Sequence, residues 1–166
     1  MIALQIEDTK LFTRKLFLET DLDAFLLKEA EVVTFNRFTI DGHIRRGFFA
    51  EEELEQRKLG EFSTWKMLRP YCFSLIKGRR LPESFQIVLM AEPERAAAFL
   101  NDSQIHSIQP DQIGGLYLHI RYEEGRLSCV TGTSLTVFSL DKTVENEWDG
   151  YVERFLKENG IAVSQN

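Results

Sequence analysis

Residues 116–122 read Leu-Tyr-Leu-His-Ile-Arg-Tyr, with apolar residues at every second position. Successive side chains of a strand point to opposite faces, so this stretch predicts a strand whose Leu116 face is buried and whose His119 face is polar. Glu124-Gly125 follows as a turn, and further strands are expected at 126–131 and 135–140, separated by a turn at Gly132-Thr133. The segment therefore predicts a three-stranded antiparallel meander.

The rest of the chain supplies more strands and several amphipathic helices. Strands are predicted at 3–6, 32–40, 71–77 and 85–91, with a bulge near Asn36 and a tight turn at Asp41-Gly42 leading to a short return strand at 43–45. Helices are predicted after Asp8 as N-cap, at 50–58, from Pro93, and at 143–159. The predicted fold is α+β, a mainly antiparallel sheet packed by amphipathic helices, in a single domain over 1–166.

The order of these elements also suggests an internal duplication. Residues 2–77 and 85–140 both read as β-α-β-β-β, with an insertion at about 46–70 in the first half and a C-terminal helix at 143–159. Both closing strands contain Phe-Ser-Leu, at 73–75 and 138–140. A repeated unit of this kind has the element order of the sliding DNA clamps. The alternative is an ordinary α+β domain with one long sheet, and neither alternative fixes a function.

Composition restricts the function classes. The chain has 166 residues and a formal net charge of −6, which argues against a protein that coats nucleic acid through phosphate neutralisation. No apolar stretch is long enough to span a bilayer, so we expect a cytoplasmic protein that has no membrane partner. The two cysteines, Cys72 and Cys129, lie in apolar runs and are expected to be buried reduced thiols; a disulfide is the alternative if their strands are neighbours.

No catalytic, metal or cofactor site is predicted. The three histidines, His43, His106 and His119, share no short spacing with cysteines or carboxylates that would suit zinc. The sequence contains no P-loop, dinucleotide fingerprint or nucleophile elbow. The chemistry-bearing residues therefore favour a protein that is not an enzyme, while a small enzyme with a site built from distant residues stays open.

One basic turn is the candidate binding site. Lys77, Arg79 and Arg80 crowd the segment before the strand at 85–91, and an exposed Arg37 would complete a small positive patch. Arginine guanidinium groups bind phosphate or carboxylate through two parallel hydrogen bonds, so an anion, a nucleic acid or a protein partner is the expected ligand. The alternative is a charged hairpin tip that only keeps the sheet edge soluble.

Three segments resemble an uncharacterised family of small bacterial proteins: residues 32–42 (VVTFNRFTIDG), 69–78 (RPYCFSLIKG) and 131–142 (TGTSLTVFSLDK). The resemblance runs over nearly the whole chain and implies a single cytoplasmic domain, with no activity and no site residues. The leading hypothesis is a non-catalytic binding or interaction module, which includes a homo-oligomer. The alternatives are a nucleic-acid-associated, clamp-like protein that uses the basic turn, and an enzyme without a recognisable motif.

Overall fold

Seven strands form one antiparallel sheet in this computed structural model, which describes residues 1–165. The strands are β1 (Ala3–Ile6), β2 (Leu26–Val33), β3 (Arg37–Asp41), β4 (Ser84–Met90), β5 (Ile113–Glu123), β6 (Arg126–Leu135) and β7 (Val163–Gln165). Their order across the sheet is β3-β2-β4-β5-β6-β1-β7. The predicted α+β class with a mainly antiparallel sheet is confirmed.

Four helices pack on the apolar face of the sheet. The helices are α1 (Thr9–Leu18), α2 (Glu51–Gln56), α3 (Trp65–Ile76), α4 (Pro93–Asp102) and α5 (Thr143–Glu158), and α2 alone among them has no buried residue. Short 3-10 turns lie at Arg46–Phe48 and Pro110–Gln112. Buried residues of α1, α3, α4 and α5 join the inward residues of β5 in one core cluster. The predicted cap holds, since the Asp8 carboxylate accepts the Leu11 N–H at 3.0 Å.

Two tryptophans fix helices to the core through their polar edges. The Trp65 indole N–H donates to the carbonyl of Leu16 at 2.7 Å, and the Trp148 indole N–H donates to the carbonyl of Tyr117 at 2.9 Å. Both rings are fully buried, so each bond satisfies a donor that burial would otherwise leave unpaired.

The predicted strand at 71–77 is wrong, because this segment is the second half of α3. The Thr64 hydroxyl accepts the Met67 N–H at 3.3 Å and so caps the first turn. Leu68, Cys72 and Ile76 follow at helical spacing and pack into the core. The aromatic and aliphatic residues of this segment suggested a strand, but in a helix they form an apolar stripe that packs against β2.

The predicted third strand at 135–140 is also wrong. Gly132 pairs with Tyr117, so β6 runs through the expected turn at Gly132-Thr133 and ends at Leu135. The neighbour of β6 is β1, with Leu4 opposite Cys129, and this pairing fills the edge that the third strand would have used. Phe138 and Leu140 are consequently 90% and 84% exposed.

The segment 32–40 contains a hairpin and not one bulged strand. A turn separates β2 from β3, and the Thr34 N–H donates to the Asn36 carbonyl at 3.0 Å. The return strand expected after Gly42 is absent from the described chain, since His43 forms an isolated bridge with Phe62. The duplication is not confirmed, because its two closing Phe-Ser-Leu segments lie in α3 and outside the sheet.

Both cysteines are buried and free, as predicted. Burial raises the pKa of the Cys72 thiol to about 12 and raises that of Cys129 as well, so both stay protonated and unreactive at neutral pH. Within residues 1–165, no helix has the length and apolar character that crossing a bilayer requires.

Candidate functional site

A groove of about 900 Å³ opens at the end of the sheet where β2 begins, β4 ends and β5 begins. The segment from Arg57 to Phe62 borders it on one side, and the start of α4 together with the 3-10 turn at Pro110–Gln112 borders it on another. Its partly buried apolar lining comes from Phe62, Met67, Met90, Ile113 and Tyr117. The groove thus offers apolar surface that water can reach.

Tyr117 occupies its place in the groove because residue 115 is a glycine. A Cβ atom built on Gly115 would lie 2.2 Å from Cζ of Tyr117 and 2.3 Å from its hydroxyl oxygen. The ring therefore folds back over the backbone of its own strand, where any side chain at residue 115 would displace it. The cross-strand partner of Tyr117 is Gly132, where a Cβ atom would lie 3.2 Å from Nε2 of His119 and 3.6 Å from Cβ of Tyr117.

Lys28 reaches the same groove because of a bulge in β2. Leu27 pairs with Leu89 and Glu29 with Val88, so Lys28 is an extra residue with no partner on β4. Its ammonium lies 4.8 Å from the centroid of the Tyr117 ring, which is a cation–π contact.

Gly42 supports this bulge from the other side. Its N–H donates to the Lys28 carbonyl at 3.0 Å, and a Cβ atom on Gly42 would lie 1.8 Å from the Leu27 carbonyl oxygen. Only glycine allows this approach of two backbones, so the position of Lys28 depends on residue 42.

Most charges of the groove are grouped by sign. The cations are Lys28 from β2 and Arg57 and Lys58 from the segment after α2. The acids Glu92 and Glu94 lie at the start of α4, with Asp111 in the nearby 3-10 turn. A fourth acid, Glu61, lies in the same segment as two of the cations, and its carboxylate is 3.6 Å from Nε2 of His43. Over the described residues, 1–165, none of the other six charged groups forms a salt bridge within 4.0 Å, so six of the seven line the groove without an ion-pair partner.

His119 lies beside the groove on the face of the sheet opposite the core. Its strand position is flanked by Val88 on β4 and Val130 on β6. Burial lowers the pKa of His119, the positive charge of Lys28 lowers it further, and Glu29 opposes both effects. The imidazole of His119 therefore stays neutral down to a lower pH than the imidazole of an exposed histidine. Its pKa depends on the charge of Lys28.

The predicted basic residues lie at the other end of the sheet. Lys77 follows the end of α3, Arg79 and Arg80 lie in the exposed loop before β4, and Arg37 begins β3. The Glu83 N–H donates to the carbonyl of Val33 at 2.9 Å, which brings this loop beside the β2–β3 turn. The structure thus places the four residues at one end of the molecule, and whether they bind a ligand stays a prediction.

The family model of DUF5721, a family of unknown function, matches residues 15–164. The chain belongs to the DUF5721 family. The match contains every residue of the groove and of the basic turn, so both are features of the family region of this chain. No curated protein matches this DUF5721 chain, and no solved structure matches it either.

Sequence reasoning missed the groove for an identifiable reason. The alternation in β5 did place Tyr117 and His119 on the polar face, and Gly114-Gly115 at its start was a signal of close packing. Lys28 gave no signal, because only the bulge opposite Leu89 and Val88 turns it toward Tyr117.

Proposed function

We propose that this protein is a non-catalytic binding module whose groove holds a small zwitterionic molecule with an apolar side chain. One observation carries the proposal: three cations and four acids line one groove, and all of them except Glu61, which lies 3.6 Å from His43, lack an ion-pair partner among the described residues. An anionic group of the ligand would lie near Lys28, and an ammonium group near Glu92 and Glu94. Amino acids and short peptides have this combination of groups.

The size and lining of the groove support such a ligand. Ligand pockets commonly range over about 300–1,000 Å³, so a volume of about 900 Å³ accommodates a dipeptide. The groove charges are largely exposed, and exposed ion pairs contribute only about 0.2–1 kcal/mol each. Contact with Tyr117, Met67 and Met90 therefore supplies most of the affinity, and the two charged groups supply orientation and selectivity.

Calorimetry with matched ligands tests the proposal. A panel of apolar amino acids and dipeptides is titrated beside their C-terminal amides and N-acetyl derivatives, each of which lacks one charge. We expect the zwitterion to bind up to about fivefold more tightly than either derivative, which corresponds to about 1 kcal/mol for the lost charge. Equal affinity for all three forms, or no binding by any member of the panel, contradicts the proposal.

Variants locate the ligand. Lys28→Gln should lower the affinity for the zwitterion and leave the affinity for the amide unchanged. Glu94→Gln should lower the affinity for the zwitterion and leave the affinity for the N-acetyl form unchanged. Arg79→Gln, at the other end of the sheet, is the control and should leave all affinities unchanged. Mass spectrometry after incubation should show the ligand intact. A new product would instead indicate that the protein is an enzyme.

A further inference from the structure

A second surface lies at the end of the sheet away from the groove. We call it the basic tip and define it by the exposed residues Phe35, Arg37, Lys77, Arg79, Arg80 and Leu81. The hydrogen bond from Glu83 to Val33 joins the loop at 77–83 to the turn at 34–36, and Val33 also pairs with Ser84. Residues from β3, from the end of α3 and from the loop before β4 are thereby brought together.

The basic tip exposes an aromatic ring that is not part of the hydrophobic core. Phe35 is 85% exposed, and its ring centroid lies 5.5 Å from that of Phe38 in an edge-to-face pair. Phe38 is partly buried and packs against one side of Phe35, whose remaining surface is open to solvent. Leu81, 82% exposed, lies in the neighbouring loop. A base of an unpaired strand could stack on a ring in this position.

The positive charges of the basic tip lie on the same two neighbouring segments as this ring and on the end of α3, and they are mostly unpaired. Within residues 1–165, Lys77, Arg79 and Arg80 have no carboxylate oxygen within 4.0 Å. Arg37 lies 3.7 Å from Glu31, and both side chains are well exposed. Acids are also present, since Glu83 is in the loop and Glu123 and Glu124 end the adjacent hairpin. The four cations still exceed the single acid of the two segments at 34–38 and 77–83.

We propose that the basic tip binds single-stranded nucleic acid, with a base stacked on Phe35 and phosphates bound by Arg37, Lys77, Arg79 and Arg80. Cations on three separate elements suit phosphates that repeat along a strand better than one small anion. The rest of the chain carries net negative charge, which limits the contact to this end and disfavours wrapping of a long duplex. This site is independent of the groove.

Fluorescence anisotropy with a labelled twelve-nucleotide oligothymidine measures the interaction. Four phosphate contacts predict a log–log salt slope near −2.8 for a single strand, so affinity should fall about 50-fold between 50 and 200 mM salt. We expect the duplex of the same length to bind at least fivefold more weakly, because its bases cannot reach Phe35. Absence of a salt dependence, or equal binding of the duplex, overturns the proposal.

Matched variants separate the contribution of the basic tip from general effects. Arg79→Glu with Arg80→Glu should weaken binding at least tenfold, while Lys10→Glu with Lys66→Glu, the same charge change at other exposed positions, should change it less than threefold. Phe35→Ala should weaken binding at least fivefold, and Phe48→Ala, also 85% exposed, should not. Equal losses in either matched pair, or binding only to vesicles containing phosphatidylserine, contradict a nucleic-acid site.

Discussion

The guanidinium of Arg69 binds both carboxylate oxygens of Asp23, with N···O distances of 2.7 Å and 3.1 Å. A third N–H of Arg69 donates to the carbonyl of Phe17 at 3.2 Å. These bonds join α3 to α1 and to the segment that follows it. They also neutralise the charge of Arg69 at a position only 18% exposed, so Arg69 adds no free positive charge to the surface.

Replacing Arg69 with alanine should lower the free energy of unfolding by about 2 kcal/mol, because the Asp23 carboxylate, 12% exposed, would lose both of its bonds. Chemical denaturation measures the change. The control is Arg14→Ala, whose partner Glu19 is 35% exposed and keeps a second partner in Lys15, and there we expect a clearly smaller loss. Equal losses in the two variants would show that the Arg69 pair stabilises no more than a surface pair.

Gly42→Ala should destabilise the fold by about 3 kcal/mol, because the new Cβ would meet a backbone carbonyl that no side-chain rotation can move. Thermal and chemical denaturation measure the loss. Gly60→Ala is the matched control, since a Cβ there meets nothing within 4 Å. A Gly42→Ala variant as stable as Gly60→Ala would mean that the bulge at Lys28 is not held by this contact.

Gly115→Ala should displace the Tyr117 ring with a smaller loss, about 1 kcal/mol, because the clash is with the far end of a side chain. A double-mutant cycle with Tyr117→Ala measures the coupling. The alanine at residue 115 should cost less once the Tyr117 ring is gone. Additive effects of the two substitutions would contradict the arrangement of the ring over residue 115.

Lys28→Met should raise the pKa of His119 and Glu29→Gln should lower it, because the Lys28 charge disfavours the imidazolium and the Glu29 charge favours it. Proton NMR titration of the imidazole measures both shifts, with the resonance assigned from His119→Gln. Lys10→Met, a remote exposed lysine, should leave the value unchanged. Shifts in the same direction for Lys28→Met and Glu29→Gln would disprove the charge assignment.

Protonation of His119 also makes the free energy of unfolding depend on pH, and the direction of the pKa shift fixes the sign of that dependence. The folded state binds the His119 proton less tightly than the unfolded chain, where the pKa is about 6.5. Unfolding therefore takes up a proton just below that pH, and the free energy of unfolding falls as the pH falls through this window. In His119→Gln this part of the pH dependence should be lost.

The sequence pattern of a single segment was enough to predict its secondary structure where the apolar residues recurred at strictly regular spacing. The alternation at 116–122 fixed the strand and its buried face, and Leu116, Leu118 and Ile120 are all nearly inaccessible. The stripe of Val144, Trp148, Val152 and Leu156 fixed α5 in the same way. These segments are long, strictly periodic and bounded by turn residues, so no neighbour is needed to decide between helix and strand.

Long-range contacts decided the rest. The segment at 71–77 has strand-forming residues but is a helix, because its apolar stripe packs against the core beside β2. The segment at 135–140 leaves the sheet because β1, far away in sequence, already pairs with β6. Lys28 meets Tyr117 through a bulge that exists only once β4 lies beside β2. Periodicity therefore determined the elements and their buried faces, whereas pairing between distant strands, which no local pattern encodes, decided which side chains line the groove.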